Sequence, residues 1–154
     1  MITVPGWLDS LGISASGLAA QNLRMNVIAN NIANAQTTRT PQGGPYRREM
    51  VVLAPNTSSP SFSHWLSQST NGAAAPATQD MGVKVVQIAQ DPSPFKLVYD
   101  PSSPDAVNGY VQMPNVDIAT EMVDMVSASR AYEANVTAFD AGKQMLTDAL
   151  TLGK

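Results

Sequence analysis

The segment PNVDIATEMVDMVSASRAYEANVTAFDAGKQMLTDALTLGK, Pro114 to Lys154, decides how this chain folds. Ile118, Met125, Tyr132, Phe139 and Leu146 recur every seven residues, and Met122, Val136 and Leu150 accompany them four places on. That period describes one face of a helix packed along another helix. Asn115 or Asp117 is placed to cap its start, acidic Asp117, Glu121 and Asp124 suit its positive end, and Gly153 stops it. The spacing predicts one helix running to about Leu152, roughly 54 Å long at 1.5 Å per residue. Ala128, Asn135, Gly142 and Ala149 flank the stripe and allow a second helix to approach closely.

That second helix stands at the other end of the chain. Ten of the eleven prolines fall between Pro41 and Pro114, so both ends are free of the residue that breaks helices. From Trp7 to Asn34, Leu11, Leu18, Met25 and Ile32 form one seven-residue series, and Ile13, Ala20 and Val27 form a neighbouring one. Arg24 is the only charged residue between Ser10 and Thr38, a surface unsuited to water. Gly12, Gly17 and five asparagines weaken the segment by on the order of 4 kcal/mol against alanine, so packing must hold it. Whether that packing is internal to one chain or made with other chains is left open by the pattern. Asn30, Asn31 and Asn34 read as a polar helix end, since asparagine tolerates the left-handed conformation, either as a cap alone or as a cap that also binds a neighbour.

The middle is different in kind. Tyr46 to Leu53, Val83 to Ala89, Phe95 to Tyr99 and Tyr110 to Met113 read as strands. Gly43-Gly44-Pro45, Asp91-Pro92, Asp100-Pro101 and Asn108-Gly109 punctuate them as turns, giving a small antiparallel β unit. Residues 56–80 are rich in Ser, Thr, Ala and Pro and read as a mobile loop in which Phe62, Trp65 and Leu66 stand out. The expected fold is mainly α with a small antiparallel β middle, its long terminal helices forming a coiled-coil-like pair with extended loops between. Its parts are 1–38, the N-terminal helix; 39–114, the middle; and 115–154, the C-terminal helix.

Composition excludes much chemistry. With no cysteine and one histidine among 154 residues, disulfides, thiolate nucleophiles and zinc sites are absent. His64 among serines is no triad, and Asp91, Asp100, Asp105 and Asp117 sit in turn contexts where Asp bonds backbone. Catalytic, cofactor-binding and metal sites are therefore not expected, nor is a cofactor. Nine thinly spread basic residues and a net charge of −3 offer nucleic acid no patch. The apolar runs are too short to insert in a membrane, and no cleaved secretory signal is written at Met1 to Ser10. The halves differ in sign, +2 for residues 1–79 and −5 for 80–154, and Arg130 with Glu133 and Asp140 with Lys143 are spaced as helix ion pairs.

SGLAAQNLRMNVIANNIANAQTTRT (16–40), GGPYRRE (43–49) and the segment 108–154 carry a resemblance. The NNIANAQTT run resembles the N-terminal signature of flagellar rod and hook proteins, and GGPYRR with YVQMPNVD and ASRAYEAN is similar to the FlgC family of basal-body rod proteins more narrowly. The tract 56–80 lies outside it. The motif residues are Asn30, Asn31, Ile32, Ala33, Asn34, Pro45, Tyr46, Arg47, Arg48, Ser129, Arg130, Tyr132, Glu133 and Asn135. The resemblance implies a structural, non-enzymatic subunit of the proximal rod of the flagellar basal body, reaching the periplasm through the flagellar type III export apparatus. The implied partners are copies of itself, other rod proteins, and the base ring with its adaptor. Another rod or hook axial protein, or a type III secreted helical adaptor, is the alternative. The expected assembly interface is Leu11, Leu18, Met25 and Ile32 on the first helix, with Ile118, Met122, Met125, Tyr132, Val136, Phe139, Leu146 and Leu150 on the second.

Overall fold

The computed structural model describes residues 6–56 and 82–152, with side chains from Ser10 onward. The elements are α1 (Gly6–Ala33), β1 (Glu49–Pro55), β2 (Val83–Gln90), β3 (Lys96–Tyr99), β4 (Tyr110–Met113) and α2 (Ile118–Leu152). The tract 57–81 with Phe62, His64, Trp65 and Leu66, and the expected stop at Gly153, lie outside the described residues.

Both helices fall where proline is absent, 28 and 35 residues long. Asp117 caps α2, accepting from the Ala119 amide at 3.0 Å and from the Thr120 hydroxyl at 3.2 Å. Asn115, the other candidate cap, is used elsewhere. At the end of α1 the asparagine expectation is corrected in one respect. Among the described residues the only non-glycine in the left-handed region is Asn108, so no asparagine ends α1 that way. The helical ladder instead runs on through the Asn34 amide to the Asn30 carbonyl at 3.1 Å, with Asn34 Nδ2 donating to the same oxygen at 2.9 Å, and then tightens through the Ala35 amide to the Ile32 carbonyl at 3.2 Å.

The helices run antiparallel. Leu11 lies against Gly142, Gly17 against Asn135, Arg24 pairs with Asp124, and Asn31 meets Glu121, so advance along α1 is retreat along α2. The pair is coiled-coil-like, as the seven-residue pattern foretold, and its close approaches use the small positions flanking the stripe. A side chain at Gly17 would meet Asn135 Oδ1 at 2.9 Å.

The middle forms two separate two-stranded antiparallel sheets, β1 with β2 and β3 with β4. In the first, Val52 faces Gln87 and Leu53 faces Val85, so Val86 bulges out opposite no residue of β1. β1 begins at Glu49 rather than Tyr46, because the Tyr46 amide donates to Thr37 and the Arg48 amide to the Asn115 side chain. Near β4, Val107 bridges Tyr110 across Asn108-Gly109 with φ of 54° and 80°, the tight turn that Asn-Gly favours. Tyr110 meets Tyr99 edge to face, ring centres 5.3 Å apart.

Little of this is buried. Among the described residues the buried hydrophobic side chains are Ala20, Val27, Ile28, Val111 and Ala128. α1 packs along α2 and also touches β1 and β2, which leaves the far side of α2 uncovered.

Candidate assembly surface and its buried polar knot

Among the described residues the two largest side chains fully withdrawn from water are polar. Glu121 is 0% exposed and Asn31 1%. Asn31 Nδ2 donates to Glu121 Oε2 at 3.0 Å and to the Glu49 carbonyl at 2.9 Å. Its Oδ1 accepts from the Tyr46 hydroxyl and the Glu49 amide, both at 3.0 Å. Two donors and two lone pairs are thereby all used. The Glu49 backbone fixes which way the amide points, since its N–H must find the oxygen and its carbonyl the NH2. Asn31 thus meets β1 as a strand neighbour would.

Arg48 closes the knot. Its Nε donates to Glu121 Oε1, and its terminal nitrogens lie 3.4 Å from Asp124 and 3.7 Å from Asp91. Burial opposes the guanidinium charge, but the Glu121 hydrogen bond and the charges of Glu121, Asp124 and Asp91 outweigh it and raise its pKa. Burial, then the charges of Glu49 and Glu121, raises the Tyr46 pKa and keeps its hydroxyl a donor. Hydrogen bonds from Ser93, aided by Arg48, hold the Asp91 carboxyl below the usual range. Asn115 accepts from the Arg48 amide at 2.9 Å and donates to the Asp91 and Ser93 carbonyls at 3.3 Å. Arg47 donates to the Asp91 carbonyl at 2.8 Å and stacks 4.4 Å over the Phe95 ring. A buried charge is costly unless paired and hydrogen-bonded, and here both carboxylate oxygens of Glu121 are.

The motif residues divide accordingly. Asn31 and Arg48 converge on Glu121 and Tyr46 bonds Asn31, while Asn30 and Asn34 bond each other at 3.1 Å. Asn135 sits over Gly17, its Nδ2 donating to the Ala131 carbonyl at 2.9 Å. Pro45, Ile32, Ser129 and Tyr132 are half-buried, and Ala33, Arg130 and Glu133 are exposed. Among the described residues the ion pairs gather around Arg24, Arg39 and Arg48, so the Arg130–Glu133 and Asp140–Lys143 spacings make none.

None of the twelve residues expected at the assembly interface is fully buried, and Leu11 lies in the seam itself against Gly142. Leu11, Leu18, Met25, Met125, Val136, Phe139 and Leu146 are half-buried, and Ile118, Met122 and Leu150 are exposed. Glu121, Ala128, Asn135 and Gly142, seven apart, are the residues that face Asn31, Gly17 and Leu11 or vanish from solvent. Sequence reasoning missed Glu121, reading it only as a charge near a helix end. Its place at the head of the small-residue series was the available signal. On the outer side of α2, Met122, Val123 and Val126 are 55%, 70% and 54% exposed, a contiguous apolar strip.

Two family models match the ends of the chain: "Flagella basal body rod protein" over residues 11–39 and "Flagellar basal body rod FlgEFG protein C-terminal" over 107–152. The chain is 46% identical to the flagellar basal-body rod protein FlgC of Borreliella burgdorferi, over 96% of this chain and 97% of that protein. It is 51% identical to the FlgC protein of Bacillus subtilis, over 94% and 97%, and 42% to that of Salmonella typhimurium, over 96% and 98%. With identity of this order over nearly the whole length of both chains, the chain belongs to the FlgC family of flagellar basal-body rod proteins.

Proposed function

We propose that this chain is a structural, non-enzymatic subunit of the proximal rod of the bacterial flagellar basal body, polymerising through its terminal helices to transmit torque. The observation that carries this reading is the uncovered apolar strip of α2, on a chain whose described residues bury only five hydrophobic side chains. Exposed apolar area of this extent on a long helix is surface for a protein neighbour. The segments 1–38 and 115–154 supply the assembly surface, and 39–114 stands outside it. The interface consists of the half-buried series from Leu11 to Ile32 and from Met125 to Leu146, extended by Ile118, Met122 and Leu150. Neighbours are copies of this chain, other rod proteins, and the base ring with its adaptor.

Delivery to the periplasm runs through the flagellar type III export apparatus. A first helix weakened by Gly12, Gly17 and its asparagines unfolds at little expense, which suits such a route. Met122→Asp and Leu150→Asp place a charge on exposed sites, so the subunit should fold and be exported while failing to enter purified basal bodies. Normal incorporation of both variants would refute assembly through α2.

A further inference from the structure

The apolar pattern of the helix pair cannot by itself choose one alignment. Both helices carry series that repeat every seven residues, and sliding one past the other by seven, about 10 Å along the axis, sets residues of the same kind opposite each other again. Leu11 would leave Gly142 for Ala149 in one direction, a residue small enough to accept it, and for Asn135 in the other, whose amide can turn aside from Leu11 toward solvent. The polar knot does not repeat. Asn31 keeps its bonds to Tyr46 and Glu49 on its own side, but any slide of α2 takes Glu121 away from both Asn31 Nδ2 and Arg48 Nε, so the carboxylate loses its partners and Asn31 is left one acceptor short. An unpaired buried carboxylate is far more costly than a changed apolar contact.

The geometry points to Asn31, Arg48 and Glu121 as a register lock: positioning residues that hold the antiparallel pair in one alignment and thereby fix where every exposed apolar residue of α2 stands along the molecule. Because Asn31 also grips the Glu49 backbone, the same lock fixes β1 against the pair. This concerns the single chain and holds whether or not the exposed strip docks onto a neighbour.

The chain has no cysteine, so cross-linking reads register cleanly. A Cβ at Gly142 would lie 3.7 Å from Leu11 Cγ, close to disulfide geometry, so Leu11→Cys with Gly142→Cys reports the native alignment. Leu11→Cys with Asn135→Cys, or with Ala149→Cys, reports a slide of seven in either direction. Dilute full-length chain is oxidised, and intramolecular adducts are separated by mass from those joining two chains. With the knot intact, only the native pair should close. With Asn31→Leu, Arg48→Met and Glu121→Leu together, a slid pair should close as well, the native-to-slid ratio falling at least tenfold. A variant that keeps its helix content and closes only the native pair overturns the proposal. Should the triple variant lose its helices, Glu121→Gln is read instead. It keeps an acceptor for Asn31 and loses the anionic one for Arg48, so the native pair should dominate with a slid adduct now detectable, and absence of that adduct overturns the lock equally.

Discussion

The two ends of the helix pair solve the same problem in opposite ways. Where Asn31 meets Glu121, polar groups are withdrawn from water and every one is partnered within the chain. Where Leu11 meets Gly142 a leucine lies over a glycine, and beyond it Met145, Leu150 and Leu152 stand 67%, 65% and 88% exposed. The knot is complete within the chain, whereas the far end, like the strip of Met122, Val123 and Val126 on the outer side of α2, presents apolar surface that something else must cover. Such a chain carries its precision in the buried knot and its adhesive capacity on the exposed faces of α2.

The largest expected effect lies in the knot. Glu121→Ala deprives Arg48 Nε and Asn31 Nδ2 of their shared partner, and should lower stability to urea by about 3–5 kcal/mol, as breaking a buried pair does. A loss below about 1 kcal/mol would mean that the knot is solvated in solution and that the two ends are alike.

The glycines sharpen the contrast along α1. Gly12 has nothing within 4 Å of an added Cβ, whereas at Gly17 the Cβ meets Asn135. Gly12→Ala should raise the thermal midpoint, gaining about 0.5–1 kcal/mol of helix propensity. Gly17→Ala should gain nothing or fall below the parent, and equal gains would show that α1 and α2 are not in contact there.

Acidification tests the periphery of the knot. Asp91 has a folded pKa below its unfolded one, so its contribution is present above the ordinary carboxylate range and disappears as pH falls through the depressed value. Asp91→Asn should therefore be less stable than the parent at neutral pH, with the difference vanishing in acid. A constant difference would assign the loss to hydrogen bonding alone.

The smallest effect belongs to the open end. Leu150→Ser should change the stability of the isolated chain by less than about 0.5 kcal/mol, because its side chain is already in water. A larger loss would place Leu150 in the chain's own core.

Helix positions, the antiparallel β pairs and the Asn108-Gly109 turn were legible because each depends on local period or local turn chemistry. The seam between the helices was legible only in part. Hydropathy draws attention to Leu18, Met125 and Phe139, yet Gly17, Asn135 and Gly142 also make close contacts across the seam, and their value is their size or their amide. Glu121 was hidden for a related reason: an acidic residue in a first helical turn already has a sufficient local explanation. Its partners Asn31 and Arg48 were visible as motif residues, but nothing local joins residues so far apart in sequence.

That separation has a consequence in time. Asn31 and Glu121 are 90 residues apart, so the contact that fixes the helix pair closes only after almost four-fifths of the chain is available. A chain that emerges N-terminus first, from a ribosome or a channel, carries α1 with no locked partner throughout that interval, and the weak helix formers within α1 keep it from committing early. The last segment to arrive is the one that latches the first.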